Sequence, residues 1–394
     1  DAFGRLRVSN PYTLFESSHR YVDNGEWVTS TAAGGSSAFN ADAGLLDMTV
    51  TTASGSQVLR ETKKVFNYQP GKSLLAILSF NFEEAKNNLR QRMGYFGAEN
   101  GFYLELNSTN EPSFVKRSSV TGSLVNTEVS KTDWNIDTLD GNGPSGITLD
   151  LSKVQILWFD FEWLGSGTVR CGFVIDGVFI HCHSFQHANV SSGTYITTAS
   201  LPLRVEITNT DTTASSSTLK QICMTVISEG GYEIRGNAAE AKLPIGSPRD
   251  LTVASTVYPL ISLRLKSTRL DGIAILDSLN VLGITNNANY CWEVVQGGTT
   301  TGGTWVTNSS SSLVEYNITA TSYSLGAGEV LTAGYAVGSN QGSTASELHR
   351  DNLFEFQLER NSFTSTPIEL ILVASSDTAG ADVLASLGWQ ETNR

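Results

Sequence analysis

Asp160 and Glu162 stand two residues apart, and Trp158 precedes them by another two. On a β-strand, where side chains alternate between faces, all three share one side. A pair of carboxylates beside an aromatic ring is what glycoside hydrolysis uses, one as acid and the other as base or nucleophile. Same-face neighbours on a strand are roughly 6–7 Å apart, however, and ordinary strands carry many such pairs. Arg170, Arg204 and Glu206 fall on neighbouring strand patterns and can pair with these acids. The six residues Trp158, Asp160, Glu162, Arg170, Arg204 and Glu206 are therefore expected to form a polar, half-solvated sheet face that works as a charge network and not as a catalytic pair.

The remaining constellations are weaker. His181, Cys182, His183 and His187 have the side chains zinc prefers. Strand alternation points His181 and His183 to one face and Cys182 to the other, so a tetrahedral site is not expected. Asp133, Asn135, Asp137, Asp140 and Asn142 are dense in oxygen ligands, yet the segment lacks the Gly and Glu positions of a helix-loop-helix calcium site. Asx-turns account for the same residues. Ser184 and Ser228 sit in no nucleophile elbow, and Gly297-Gly298 and Gly302-Gly303 lack the Lys of a phosphate cradle. No catalytic residue, cofactor or metal ligand is assigned. The sequons at Asn107, Asn189, Asn308 and Asn317 reflect a Ser/Thr-rich composition.

These residues must be positioned by a chain of 394 residues that is 40% hydrophobic and only 16% charged. Ser, Thr, Asn and Gly replace the missing charges while β-branched and aromatic residues stay plentiful, which marks an ordered, β-rich protein and excludes a disordered one. With 26 basic against 39 acidic residues the net charge is −13, and no basic run could track a phosphate backbone. Nucleic acid is excluded as an expected partner. No apolar stretch approaches the roughly 18 residues of a membrane span. Four scattered cysteines make no disulfide scaffold, and a reducing assembly site favours thiols.

Helical periodicity is confined to Phe82–Arg92 and a turn or two at Asp382–Leu387. Elsewhere short Val, Ile, Thr, Phe and Tyr runs alternate with Gly, Asn, Asp and Ser clusters. Asp176-Gly177 is a strong two-residue turn between Phe173-Val174-Ile175 and Val178-Phe179-Ile180. It pairs Ile175 with Val178, Phe173 with Ile180 and Cys171 with Cys182, leaving His181 and His183 on the opposite, polar face. The spacing of breakers predicts an N-terminal arm over 1–15, a β-sandwich over 16–235, a Gly-, Ala- and Pro-containing linker over 236–257 and a smaller β-sandwich over 258–394. The arm has too little apolar content to build a core of its own.

The opening Asp1-Ala2-Phe3-Gly4-Arg5-Leu6-Arg7-Val8-Ser9, with Thr13-Leu14-Phe15, resembles the start of a family of virion structural proteins of tailed bacteriophages, especially marine ones, with similar segments in large DNA viruses of algae. The likeness continues through Arg92-Met93-Gly94-Tyr95-Phe96, Trp134-Asn135-Ile136-Asp137, Gly143-Pro144-Ser145-Gly146, Glu162-Trp163-Leu164-Gly165, Ile227-Ser228-Glu229-Gly230-Gly231 and Leu387-Gly388-Trp389. It implies a concanavalin-like jelly-roll sandwich followed by a second sandwich, in a non-enzymatic, multi-copy protein located in the virion. The partners it implies are further copies of the chain, a trimer among the open orders, and other virion proteins. Phe3, Arg5, Leu6 and Arg7 of the arm would dock on a neighbouring subunit, combining apolar anchors with bidentate arginine contacts. A glycan-binding adsorption protein or depolymerase on the same fold, acting on a host surface glycan, is the competing expectation.

Overall fold

The computed structural model describes residues 10–339, 346–348 (backbone only) and 356–392. The expected docking residues Phe3, Arg5, Leu6 and Arg7 lie outside the described residues. The chain divides into two compact units, Asp1–Glu233 and Ile234–Arg394. Both are all-β; the single 3-10 turn at Lys131–Asp133 is the only helical element among the described residues.

The first unit contains β1 (Tyr12–Ser17), β2 (Trp27–Ala32), β3 (Ser36–Asn40), β4 (Leu45–Val50), β5 (Gln57–Thr62), β6 (Leu74–Asn81), β7 (Leu89–Phe96), β8 (Gly101–Leu106), β9 (Pro112–Ser118), β10 (Val125–Ser130), β11 (Gln155–Phe161), β12 (Val169–Ile175), β13 (Val178–Phe185), β14 (Leu203–Asn209) and β15 (Ser217–Ser228). They make two antiparallel sheets packed as a jelly-roll sandwich. One runs β13-β12-β11-β6-β15-β4-β3 with β1 added on β15, and the other runs β10-β9-β8-β7-β14-β5-β2. Alternation dictates what lies between them: Leu203, Val205 and Ile207 of β14 and Leu157, Phe159 and Phe161 of β11 point inward and are fully buried. Phe80, Met93, Leu104 and Phe114 complete the same core.

The sequence-expected helix at Phe82–Arg92 does not form. Residues 82–88 are a loop and Leu89–Phe96 is a central strand, flanked by β14 and β8, whose burial on both faces hides its alternation. The expected arm also ends early, since Tyr12 already pairs with Ser228.

The second unit is a smaller sandwich. Ala381–Thr392 is central to one sheet, flanked by Asn237–Lys242 and Ile273–Gly283. Tyr258–Leu265, Glu369–Ser376 and Asn289–Thr301 form the middle of the other. The segment 236–257, expected to be a linker, instead supplies two strands, Asn237–Lys242 and Arg249–Leu251, both paired to Ala381–Thr392. Its alanines suit an edge strand on a core of Leu387 and Trp389, although their strand propensity is low. Asp382–Leu387 is likewise strand and not helix.

Candidate functional site

Of the six residues expected on one polar face, Trp158, Asp160 and Arg170 lie in one sheet, Arg204 and Glu206 in the other, and Glu162 just past the end of β11. Asp160 of β11 faces Arg170 of β12 across the ladder, and Arg170 Nη2 donates to Asp160 Oδ2. Trp158 sits one same-face step along β11, opposite Gly172. A Cβ at Gly172 would come within 2.8 Å of the indole ring and 1.9 Å of the Ile180 carbonyl oxygen, so only glycine lets the ring lie flat there. Trp158 Nε1 donates to the Phe173 carbonyl at 3.2 Å, while Phe179 and His181 pack on the ring at 5.7 and 5.8 Å between centroids. Glu162 follows the end of β11 and is fully buried near Tyr68. Its backbone opens a tight turn in which Gly167 donates to the Trp163 carbonyl at 2.7 Å.

Arg204 and Glu206 lie on β14, in the opposite sheet, and belong to a cross-strand row that sequence reasoning did not assemble. Arg204 donates to Glu61 at 3.0 Å and to Glu206 at 2.7 Å, and Arg92 donates to Glu206 at 3.4 Å and to Glu105 at 2.6 Å. Phe96 and Tyr103 roof these charges, with the Arg92 and Arg204 guanidinium carbons 5.1 and 5.7 Å from ring centroids. Burial pushes the Glu206 carboxyl up, but Arg204 and Arg92 more than offset this and hold it below the usual carboxylate range. The face is thus not half-solvated: Asp160, Glu162 and Glu206 are 1%, 0% and 4% exposed. A buried carboxylate gripped by arginine holds charge in place and offers no open edge to a substrate.

The histidines do not converge. The hairpin follows its expected register from Ile175–Val178 to Phe173–Ile180, with Asp176 and Gly177 both at positive φ (52° and 77°). Gly172 then faces His181, and Cys171 faces His183, because a bulge at Cys182 inserts one residue. The expected Cys171–Cys182 pairing is therefore wrong by one residue, though both thiols are free and buried. The bulge also moves His183 off the polar face and against Phe114 and Phe185 in the core. Its cause is the loop after β10. Ile136 and Asp137 N–H groups donate to the Cys182 carbonyl at 3.0 and 3.1 Å, and the Asn135 side chain pairs with both backbone groups of Ser184.

His181, His183 and His187 are each committed. His181 Nε2 shares a hydrogen bond with Ser184 Oγ at 2.9 Å, and His183 Nδ1 accepts from the Asn135 N–H at 3.3 Å. His187 Nδ1 donates to the Gly167 carbonyl at 2.8 Å, so its Nε2 accepts from Lys116 Nζ at 3.1 Å, and the ring stacks on Tyr195 at 3.6 Å. Burial pushes His183 and His187 down to about 4. Among the described residues no three His, Cys, Asp or Glu side chains gather as a metal site. The oxygens of the 133–142 loop turn to its own backbone: Asp137 accepts from the Leu139 and Ser145 N–H groups at 2.9 and 2.8 Å, and Asp140 accepts from Asn142 at 2.9 Å.

A groove that the sequence did not reveal opens at one end of this sandwich. It encloses about 550 Å³, and a second compartment of about 270 Å³ shares Asn110, Pro112 and Lys131 as a common wall. Five separate segments line it, from the loops after β6, β8, β10 and Asp137 to the turn before β11, which is why no local pattern announces it. Leu106, Leu149 and Leu151 supply apolar lining, and Glu84 and Asp150 supply charge.

No family model and no curated protein matches the chain. Among solved structures it is similar to the beta-glucanase of Bacillus licheniformis at 11% identity, over 54% of this chain and 96% of that one, with a TM-score of 0.36. Arcelin-5, a lectin-like defence protein of Phaseolus vulgaris, matches at 9% identity over 56% and 99% with a TM-score of 0.32. A legume lectin-like domain from Entamoeba histolytica matches at 11% over 55% and 97%, with a TM-score of 0.30. None of these likenesses assigns a role to a residue of this chain.

Proposed function

We propose that the chain is a non-enzymatic structural protein of a virus particle, present in many copies on the head exterior, as decoration or fibre, or in the tail. The observation that supports it best is the state of the ionisable groups. Asp160 is held by Arg170, and Glu206 is held between Arg204 and Arg92, so these buried carboxylates act as cross-links of a rigid scaffold. The opening segment's resemblance to virion proteins points the same way. Mass spectrometry of purified particles followed by a cryo-EM map tests the reading; a chain absent from the particle would sink it.

A second reading, host-glycan binding, is favoured by one feature. Phe179 is 49% exposed and packs on the Trp158 ring at 5.7 Å between centroids, and an exposed aromatic can stack a sugar ring. Binding on a glycan array that Phe179→Ala abolishes is the outcome that would favour it.

A further inference from the structure

We propose that the end groove of the first unit receives the N-terminal arm of a second copy of this chain, seating Phe3 and Leu6 on its apolar lining and Arg5 and Arg7 on its acidic rim. The proposal rests on the assembly reading above and names the contact through which copies join.

The first argument is chemical fit. Leu106, Leu149 and Leu151 give the groove an apolar lining, continuous with the sandwich core. Its rim carries Glu84, Glu111, Asp140 and Asp150. Glu83 is already paired with Lys86 at 3.3 Å, whereas those four acids have no salt bridge among the described residues. Against this stands Lys131 alone as a basic lining residue. The segment Phe3-Gly4-Arg5-Leu6-Arg7 carries two apolar and two cationic side chains within five residues of a chain whose net charge is −13, so it is complementary where most of the surface is not.

The second argument is direction. On β15, Tyr12 pairs with Ser228, and so does Leu74 at the start of β6. Asn81, at the end of β6, pairs with Lys220, and the groove begins two residues further on at Glu83. Eight residue steps separate Lys220 from Ser228, or roughly 26 Å of strand. From Tyr12, β1 runs toward the groove end, since Ser17 pairs with Met224, and the preceding Asn10 lies beside Gly231, past the other end. Arg7 is five residues before Tyr12 and reaches at most about 18 Å. Arg7 therefore falls short of the groove of its own chain, and the segment cannot seat both its arginines there. A neighbour's groove has no such restriction, and the resulting contact is head to tail, the kind that closes into a ring or continues as a filament.

Cross-linking of the full chain tests this, in a Cys223→Ser, Cys291→Ser background that leaves only buried thiols. A chain bearing Arg7→Cys is mixed with one bearing Ser152→Cys, at the groove, under mild oxidation. A mixed disulfide dimer is expected. No cross-link, or a cross-link only within a chain that carries both cysteines, overturns the proposal. Charge reversal gives an independent measurement by sedimentation: Glu84→Arg with Asp150→Arg, or Arg5→Glu with Arg7→Glu, should weaken self-association roughly tenfold at low salt, and the combination should restore it. Unchanged self-association in either pair also overturns it. A chain that still enters particles without the cross-link sinks the groove alone; hydrolytic activity toward a glycan sinks the structural reading and leaves the cross-link result standing.

Discussion

Arg60 grips Asp23 through two parallel hydrogen bonds of 2.8 Å, from Nη1 to Oδ2 and from Nη2 to Oδ1. Arg60 is 1% exposed on β5, and its Nε donates at 2.9 Å to Gln221 of β15, so one guanidinium joins the two sheets of the sandwich. Thr29 accepts a further bond at 2.8 Å, and the Trp27 ring lies 5.6 Å from the guanidinium carbon. Truncation would strand the buried Gln221 carbonyl, while Asp23, 38% exposed, would turn to water. Arg60→Ala should cost about 1–3 kcal/mol, read as a fall in the urea midpoint, and Arg60→Met should cost less because it keeps the volume. A loss under about 1 kcal/mol in Arg60→Ala would show that the bridge is not structural.

Acid should destabilise the first unit before its carboxylates titrate. Burial holds His183 and His187 at about 4 in the folded chain, against 6.5 when unfolded. Protonating His187 would also place an imidazolium against the Lys116 ammonium, 3.1 Å from Nε2. Between these values the unfolded state binds more protons, so stability is complete above about pH 6.5, falls as pH drops toward 4 and levels off below. The slope is up to about 1.4 kcal/mol per pH unit for each histidine. Urea midpoints at pH 7.5 and pH 5 measure it, and His187→Gln should flatten part of the slope. A wild-type midpoint that does not move over this range contradicts the expectation.

The hairpin β12–β13 shows how far sequence alone reaches. Asp176 and Gly177 specify a turn whose backbone only small or flexible residues adopt, and the two-residue loop carries the register to Gly172–His181. The bulge at Cys182 is set instead by Asn135, Ile136 and Asp137, more than 40 residues upstream, which occupy the free edge of β13. A partner chosen by tertiary folding leaves no local trace. The same holds for the carboxylates: alternation assigns Asp160 and Glu206 to outward faces, but which sheet each strand joins depends on pairing of β14 with β5 and β7. All-β character was legible because it is a sum of local patterns, and the groove was not because five distant segments make it.

Thiol chemistry checks the burial of the hairpin cysteines. Cys223 is exposed and Cys291 half-buried, whereas Cys171 and Cys182 are buried on the inner side of the hairpin. Burial raises the Cys171 and Cys182 thiols well above their ordinary range, which removes the reactive thiolate. A chromogenic disulfide reagent should find Cys223 fast and Cys291 slower, with Cys171 and Cys182 appearing only on unfolding. Cys223→Ser should delete the fast phase. Rapid labelling of Cys182 in the native chain would mean that the loop at Asn135 does not cover it.

Purified protein should release no sugar from host capsule or lipopolysaccharide. A glycosidase needs one carboxyl kept protonated and a second facing the same bond, about 5–5.5 Å away in retaining enzymes or 6.5–9.5 Å in inverting ones. Asp160 is 1% exposed with Arg170 on its Oδ2, and Glu206 is in the other sheet beneath Phe96 and Tyr103. At the groove, Glu83 is occupied by Lys86 and by the Thr218 N–H at 3.0 Å. Asp150 accepts from Ser152, which holds its carboxyl below the usual range and therefore charged, the wrong state for a general acid. Reducing-end assays against both polysaccharides should match a buffer blank, and Asp160→Asn should lower the urea midpoint without touching any activity. Hydrolysis that Asp160→Asn, Glu162→Gln or Glu84→Gln abolishes in a folded protein would replace the structural role with an enzymatic one.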